Sequence, residues 1–270
     1  MTYSKTQLIA EIGANHAGNM ELAISMIEAA ASSGAQWVKF QSWRADALQE
    51  GAAHPSYEWY QQAQLSDEDH RRLIRACEAN NVQFLTTCFD RGRVPFLASL
   101  GLSTIKVASP DLASRTMIKE LRASFDHLII STGMSYDEEI EATGTMLEGT
   151  SFTFMHCVSL YPTPLEKVNM ARMDWLRKFT PSVGFSDHTL GVEAPMLAIA
   201  RGAAFVEKHF TLSRYLPGKD QAVSCEPHEL RQIADYALLV EQLMGDAHPP
   251  LSETEENLRT AYIGKWGDNQ

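Results

Sequence analysis

Short β-rich runs alternate with longer amphipathic segments along almost the whole chain, and this alternation restricts the fold more than any other feature. The β-rich runs read as Leu8 to Ile12, Trp37 to Gln41, Val82 to Phe89, Thr104 to Ser109, His127 to Gly133, Phe152 to Val158, Ser182 to His188 and Phe205 to Thr211. Strands joined by helix-length segments pair in parallel, because a tight turn cannot return the chain to a parallel register. Predicted helices run from Met20 to Ser33, with Leu22, Met26, Ile27 and Ala30 as the apolar positions and Gly34 as the stop, and over Pro227 to Met244. Another opens at Ser66, with Asp69 at capping-box spacing, and a fourth covers Ser135 to Leu147 behind Ser135 and Glu138. About eight βα units in roughly 250 residues predict a single-domain α/β protein, a closed (β/α)₈ TIM barrel over residues 1–248, with a short tail over 249–270. A doubly wound nucleotide-binding sheet has fewer strands and carries a G-x-G-x-x-G or G-x-x-x-x-G-K-[ST] marker, which is missing here. Ser42 to Leu65 reads as a long irregular segment with the length of a functional lid.

Composition narrows the function. The 270 residues are 44% hydrophobic and 21% charged, which is the balance of a soluble packed protein. With 23 Lys and Arg against 34 Asp and Glu, the net charge of −11 repels phosphate backbones and anionic lipid, so neither nucleic acid nor membrane is an expected partner. A small anionic substrate stays possible, since a few lysines in one cleft set the local field. Cys77, Cys88, Cys157 and Cys225 show no CxxC spacing, which fits reduced cytoplasmic thiols. The N-terminal Met-Thr-Tyr-Ser-Lys-Thr-Gln has no apolar h-region, so no export is expected.

Chemistry in such barrels sits at the C-terminal strand ends, and those ends are unusually polar in this chain. Residues two apart on a strand share a face, so Lys39 lies with Gln41, Ser186 with His188, and Glu207 with His209. Lys39 and Lys106 are costly to bury inside β-runs unless paired with a carboxylate or an anionic ligand. Thr87, Ser109, Ser131 and Ser186 fall at the same level and make a phosphate cradle the expected use. His188 and His209 end adjacent strands, with Glu11 near them, and suit a divalent transition metal. By spacing alone the pair reads equally well as structural hydrogen-bonding histidines. His54, His70, His127, His228 and His248 read as solvated, His16 and His156 as packing or supporting residues, and Met26, Trp37, Phe84 and Met196 as core.

Several of these stretches are recognisable in order. Ile9-Ala10-Glu11-Ile12-Gly13-Ala14-Asn15-His16, Val38-Lys39-Phe40-Gln41, Lys106-Val107-Ala108-Ser109, Ser131-Thr132-Gly133-Met134, His156-Cys157 with Tyr161-Pro162, Gly184-Phe185-Ser186-Asp187-His188-Thr189 and Glu207-Lys208-His209-Phe210-Thr211 resemble the motifs of the sialic acid synthase family. The resemblance runs from the first strand to about Gly245 and embraces N-acetylneuraminate, legionaminate and pseudaminate synthases. It implies a metal-dependent transferase that condenses phosphoenolpyruvate with the open-chain aldehyde of an N-acetylated amino sugar, N-acetylmannosamine-like, to give a nine-carbon 3-deoxy-2-keto acid and phosphate. By the same resemblance His188 and His209 are the Mn²⁺ ligands, with Mg²⁺ or Co²⁺ as substitutes, and Glu11 is the carboxylate beside the metal. Lys39, Thr87, Lys106, Ser109, Ser131, Ser159 and Ser186 are implied to bind phosphoenolpyruvate, and Gln41, Asp111, Tyr161 and Asp220 the sugar. A homodimer is implied by analogy.

Three departures stand out. Asp111 occupies a position where the family usually has Glu, and Ser159 one where many members have Asn. A typical member continues into a C-terminal antifreeze-like domain that donates an arginine across the dimer. Here, after Pro249-Pro250, only a polar stretch from Leu251 to Gln270 follows, with Trp266 near its end. Two alternatives remain open. One is a related 3-deoxy-ulosonate phosphate synthase using a phosphorylated aldose, for which Arg44, Arg91, Arg93 and Arg214 are the available cations. The other is a non-catalytic, sugar-binding relative.

Overall fold

A computed structural model describes residues 5–47 and 51–264. Trp266 and the first four residues lie outside the described residues, as do positions 48–50 of the segment expected to be irregular. In chain order the elements are β1 (Gln7–Gly13), α1 (Met20–Ser32), β2 (Trp37–Ser42), α2 (Tyr57–Ala63), α3 (Asp67–Ala79), β3 (Gln83–Cys88), α4 (Val94–Ser99), β4 (Thr104–Val107) and α5 (Arg115–Ser124). They continue with β5 (His127–Ser131), α6 (Asp137–Met146), β6 (Phe152–Cys157), α7 (Arg172–Leu176), β7 (Val183–Asp187), α8 (Glu193–Ala200), β8 (Phe205–His209), α9 (Pro227–Met244) and α10 (Glu253–Tyr262). All eight strands pair in parallel with their sequence neighbours, and β8 pairs back onto β1, so the sheet closes into the predicted barrel.

Strand alternation divides the apolar residues into two populations. Outward-facing side chains such as Ile130, Phe154 and Phe185 pack against Leu121, Met173 and Ile199 of the surrounding helices. On the β1–β2 side, Ala10 and Val38 meet Ala23, Met26, Ile27 and Ala30, the buried face of α1. Inside the barrel, Ile9, Leu85, Ile129 and Met155 form a small separate cluster, packed from below by Trp37 and Phe205. This plug is the floor on which the polar strand ends rest.

Local signals explain the element boundaries. Asn19 caps α1 through its side chain on Leu22 N, and Gly34, at φ +95°, takes the left-handed conformation that stops it. Ser66 and Asp69 form the expected capping box of α3. The start of α6 differs from expectation: Glu139 accepts from Tyr136 N at 2.9 Å, whereas the Ser135 hydroxyl donates to the Gly133 carbonyl and is unavailable as a cap. The segment after β2 is also more ordered than expected, because it contains α2. Two histidines expected in solvent are packed instead. His70 is fully buried with Nδ1 2.8 Å from the Ser66 carbonyl, and His127 is half-buried between Ser151 and Thr153. The stretch after residue 249 carries α10, which buries none of its residues. Among the described residues no helix is long and apolar enough to cross a membrane.

Because the plug has no polar atoms to recruit water, truncating it leaves a void directly beneath the charged layer. Ile129→Ala is expected to lower stability by ~2–5 kcal/mol, read as a lower denaturation midpoint with unchanged slope in urea.

Candidate active site

Register brings the polar strand ends into one layer. Glu11 on β1 lies beside Lys39 on β2 and His209 on β8; Thr87 on β3 lies beside Gln41 on β2 and Lys106 on β4; Ser186 on β7 lies beside Glu207 on β8. They face a cavity of about 280 Å³ at the C-terminal mouth. Every residue predicted for the site lines this cavity except Asp111 and Asp220. Asp111 sits in a short turn after β4 and accepts from Ser114 Oγ at 3.1 Å, and burial pushes its carboxyl above the ordinary aspartate range. Asp220 precedes the turn Gln221–Val223, where its carbonyl accepts from Ser224 Oγ, and burial raises its carboxyl as well. Both are displaced from the lining because they lie in turns beyond the strand ends, where alternation no longer governs direction.

Four buried charged side chains occupy the base of the cavity. Lys39 Nζ lies 3.1 Å from Glu11 Oε2 and 3.5 Å from Glu207 Oε1, and donates to Thr87 Oγ1 at 2.9 Å. Lys106 Nζ lies 3.2 Å from Glu207 Oε2. Gln41 donates to Glu11 Oε1 at 2.7 Å, and Ser186 to Glu207 Oε1 at 3.0 Å. Both lysines are therefore paired with carboxylates and also border open space. Burial pushes the Glu11 carboxyl up, assisted by the Glu207 charge and only partly opposed by Lys39. Burial acts on Glu207 too, but Lys106 and Lys39 outweigh it and hold that carboxyl down. Two carboxylates of one chemistry thus differ in proton affinity because Glu207 faces two ammonium groups and Glu11 faces one. Sequence reasoning left Glu207 out of the site, although its shared face with His209 was a usable signal.

The histidines end on the rim. His188 Nδ1 donates to the Val158 carbonyl at 2.8 Å, which leaves the Nε2 lone pair free. Burial, with the nearby Lys39 ammonium acting in the same direction, holds the His209 imidazole well below the ordinary histidine range and so neutral, and its Nδ1 is buried without a hydrogen-bond partner among the described residues. The two ring centroids are 5.6 Å apart, and the Tyr161 ring lies 4.1 Å from that of His188. The turn that presents His188 is clamped from the outer face. Asp187 accepts from Thr189 N at 2.9 Å, and Lys208, its register partner, donates to Asp187 at 2.5 Å and to the Thr189 carbonyl at 2.7 Å.

Hydroxyls complete the wall. Ser109 Oγ accepts from Gly133 N at 3.1 Å, and a Cβ added to Gly133 would stand 2.5 Å from Ser159 Oγ. Only glycine lets Ser109, Ser159 and the Cys157 thiol converge there. Cys157, not anticipated as a lining residue, lies 3.9 Å from His188 Nδ1. A wider cleft of about 770 Å³ adjoins the cavity across Met134, Cys157 and Ser159 but holds neither buried lysine.

A buried charge stripped of its partner costs several kcal/mol. Lys106→Met is expected to destabilise the fold by ~3–5 kcal/mol, and Lys106→Met combined with Glu207→Gln to recover part of that loss, because Lys39 and Glu11 then remain as a balanced pair. Denaturant unfolding of the single and double variants checks both expectations.

Comparison with known proteins agrees with this geometry. Residues 26–249 match the model of the NeuB family. The chain is 35% identical to the N,N'-diacetyllegionaminic acid synthase of Campylobacter jejuni, over 93% of this chain and 81% of that protein. It is 34% identical to the synthase of the same name from Legionella pneumophila, over 93% of this chain and 77% of the other. Among solved structures, the N-acetylneuraminic acid synthetase of Leptospira borgpetersenii superposes with a TM-score of 0.88 at 29% identity, covering 96% of this chain and 91% of that one. The chain belongs to the NeuB family, the phosphoenolpyruvate-using, carbon–carbon bond-forming synthases of sialic-acid-type ulosonic acids.

Proposed function

We propose that the chain condenses phosphoenolpyruvate with the open-chain aldehyde of an N-acetylated amino sugar, N-acetylmannosamine-like, using a divalent metal. The observation that carries this is the pair of buried lysines, each matched to a carboxylate yet bordering open space rimmed by hydroxyls and two imidazoles. Lys39 and Lys106, with Thr87, Ser109, Ser131, Ser159 and Ser186, hold the phosphate and carboxylate of phosphoenolpyruvate. In that dry cavity their fixed donors oppose the negative charge of the substrate and of the departing phosphate. Gln41 and Tyr161 contact the sugar.

The donor set on the rim fits a metal. His188 presents a free Nε2, His209 is neutral, and the buried Glu11 Oε2 has no aligned hydrogen-bond donor. Among the described residues no group of three or more His, Cys, Asp or Glu is placed to hold a metal by itself, so an ion on the two histidines would need substrate or water oxygens to complete its coordination. His188 and His209 would hold it, with Mn²⁺ preferred over Mg²⁺ or Co²⁺. When bound, the ion supplies Lewis-acid polarisation of the aldehyde oxygen. Glu11, whose raised proton affinity suits transfer near neutral pH, exchanges the proton at the reacting carbons. In balance, C3 of phosphoenolpyruvate bonds to the aldehyde carbon, the aldehyde oxygen gains a proton, one water is consumed and inorganic phosphate leaves.

An unphosphorylated acceptor is favoured over a phosphorylated one by the state of the four candidate arginines. Arg44 is paired with Asp90, Arg91 with Glu120, Arg93 with Asp67 and Arg214 with Glu229. A distal phosphate would have to displace one of these carboxylates.

Phosphate release from phosphoenolpyruvate is expected only with Mn²⁺ and an amino sugar both present, and faster with free than with phosphorylated sugars. Failure of every amino sugar to trigger release removes the proposal. Lys39→Ala is expected to lower kcat/KM by ~10²–10³, measured in the same assay. His188→Ala is expected to weaken Mn²⁺ binding ~10-fold or more, read by electron paramagnetic resonance of free Mn²⁺ without any turnover.

A further inference from the structure

The two rim histidines are held in different ways. His188 is fixed at its ring, where Nδ1 donates to the Val158 carbonyl at 2.8 Å. His209 Nδ1 has no hydrogen-bond partner among the described residues. An imidazole that ligates a metal ordinarily has its second nitrogen held, and that bond fixes the direction of the ring. For His209 the task falls to the backbone on either side of it. The His209 carbonyl accepts from Cys225 N at 2.7 Å, the following Phe210 N donates to the Glu11 carbonyl at 2.8 Å, and the Phe210 carbonyl accepts from Asn15 Nδ2 at 2.9 Å. Of these three bonds only the last comes from a side chain.

Local structure explains how Asn15 reaches that carbonyl. Register pairing of β1 with β8 ends at Glu11 and His209. Gly13, at φ +56°, then takes the left-handed conformation, and Asn15 N donates back to the Ile12 carbonyl at 2.9 Å, so the chain turns at the end of β1. The Asn15 amide supplies the Phe210 carbonyl with the donor that a continued ladder would have given. Its second proton goes to Ser224 Oγ at 2.9 Å, and the Asn15 carbonyl accepts from Gln221 Nε2 at 2.9 Å. Ser224 precedes Cys225, the residue that holds the His209 carbonyl, so Asn15 grips the end of β8 from both sides. Asn15 is only 2% exposed and Ser224 fully buried, so bulk water does not replace these bonds. A carbonyl that loses its donor there is satisfied only by movement of the chain.

We propose that Asn15 is a positioning residue for the metal site, which by fixing the Phe210 carbonyl sets the backbone from which His209 faces His188. The proposal rests on the reading of His188 and His209 as the pair that holds the metal. Asn15 does not line the cavity, so it acts through His209 and touches neither ion nor substrate. The two ring centroids stand 5.6 Å apart, and a binding constellation tolerates displacements of only about 0.5 Å. With no bond on Nδ1 to correct the ring, a shift of the β8 end passes directly to the imidazole.

Titration of the whole chain into Mn²⁺, with free ion read by electron paramagnetic resonance and no substrate present, tests this without turnover. Asn15→Leu keeps the branched shape of the side chain and removes both donors. Its dissociation constant for Mn²⁺ is expected to rise about tenfold over the wild type. Leu73→Ala, a truncation on the buried face of α3, serves as the control for stability alone. It is expected to lower the denaturation midpoint and leave Mn²⁺ affinity unchanged. Should Asn15→Leu not fold, Asn15→Ser decides by the same measurement, because its hydroxyl falls short of the Phe210 carbonyl. Unchanged Mn²⁺ affinity in the folded Asn15 variant overturns the proposal, and so does an equal loss in Leu73→Ala. A wild type that binds Mn²⁺ no better than His188→Ala overturns the reading of the rim histidines instead.

Discussion

Two lysines and two glutamates buried at one level of a closed barrel form the interaction on which the rest of the site depends. Glu11, Lys39, Lys106 and Glu207 are almost completely removed from water and stand above a plug of Ile9, Leu85, Ile129 and Met155. Each ion buried there costs several kcal/mol unless compensated, and the compensation available is mainly one another. The unequal pairing, two ammonium groups around Glu207 and one beside Glu11, leaves one carboxyl ionised and the other ready to hold a proton. That asymmetry is what a site handling both an anion and a proton requires.

Barrel closure makes this arrangement possible. Because β8 pairs with β1, Glu11 and His209 become register neighbours despite standing at opposite ends of the chain. Alternation then sorts each strand end by face. Ser186 and His188 point inward with the cavity, whereas Asp187 points outward and, with Lys208, grips the turn that holds His188 in place. Adjacent residues serve binding and support because successive side chains leave a strand on opposite sides.

Most of the cavity lining was legible in the sequence for this reason. Period-two faces do not depend on tertiary contacts, so Lys39 with Gln41, Ser186 with His188, and Glu207 with His209 could be grouped from spacing alone. Where a residue left the strand, the rule lapsed. Asp111 and Asp220 lie in turns whose direction is set by hydrogen bonds to Ser114 and Ser224, and the structure sets them off the lining. His70 looked like a solvated helix residue, yet its ring fills space against Phe84 and Phe96, a contact between elements that no local pattern announces. Ser135 looked like a helix cap until its hydroxyl proved to be engaged by the Gly133 carbonyl.

By itself the sequence determined the barrel, the family and the kind of side chain at each strand end, because periodicity, chain order and ordered motifs are properties of the linear chain. Tertiary structure alone decided which lysine meets which glutamate, that the four candidate arginines are already paired, and that the Asn15 amide reaches the Phe210 carbonyl at the end of β8. These depend on distances of a few ångströms between residues far apart in sequence. Coulomb energy and desolvation are set by those distances, and they exist only once the barrel has closed.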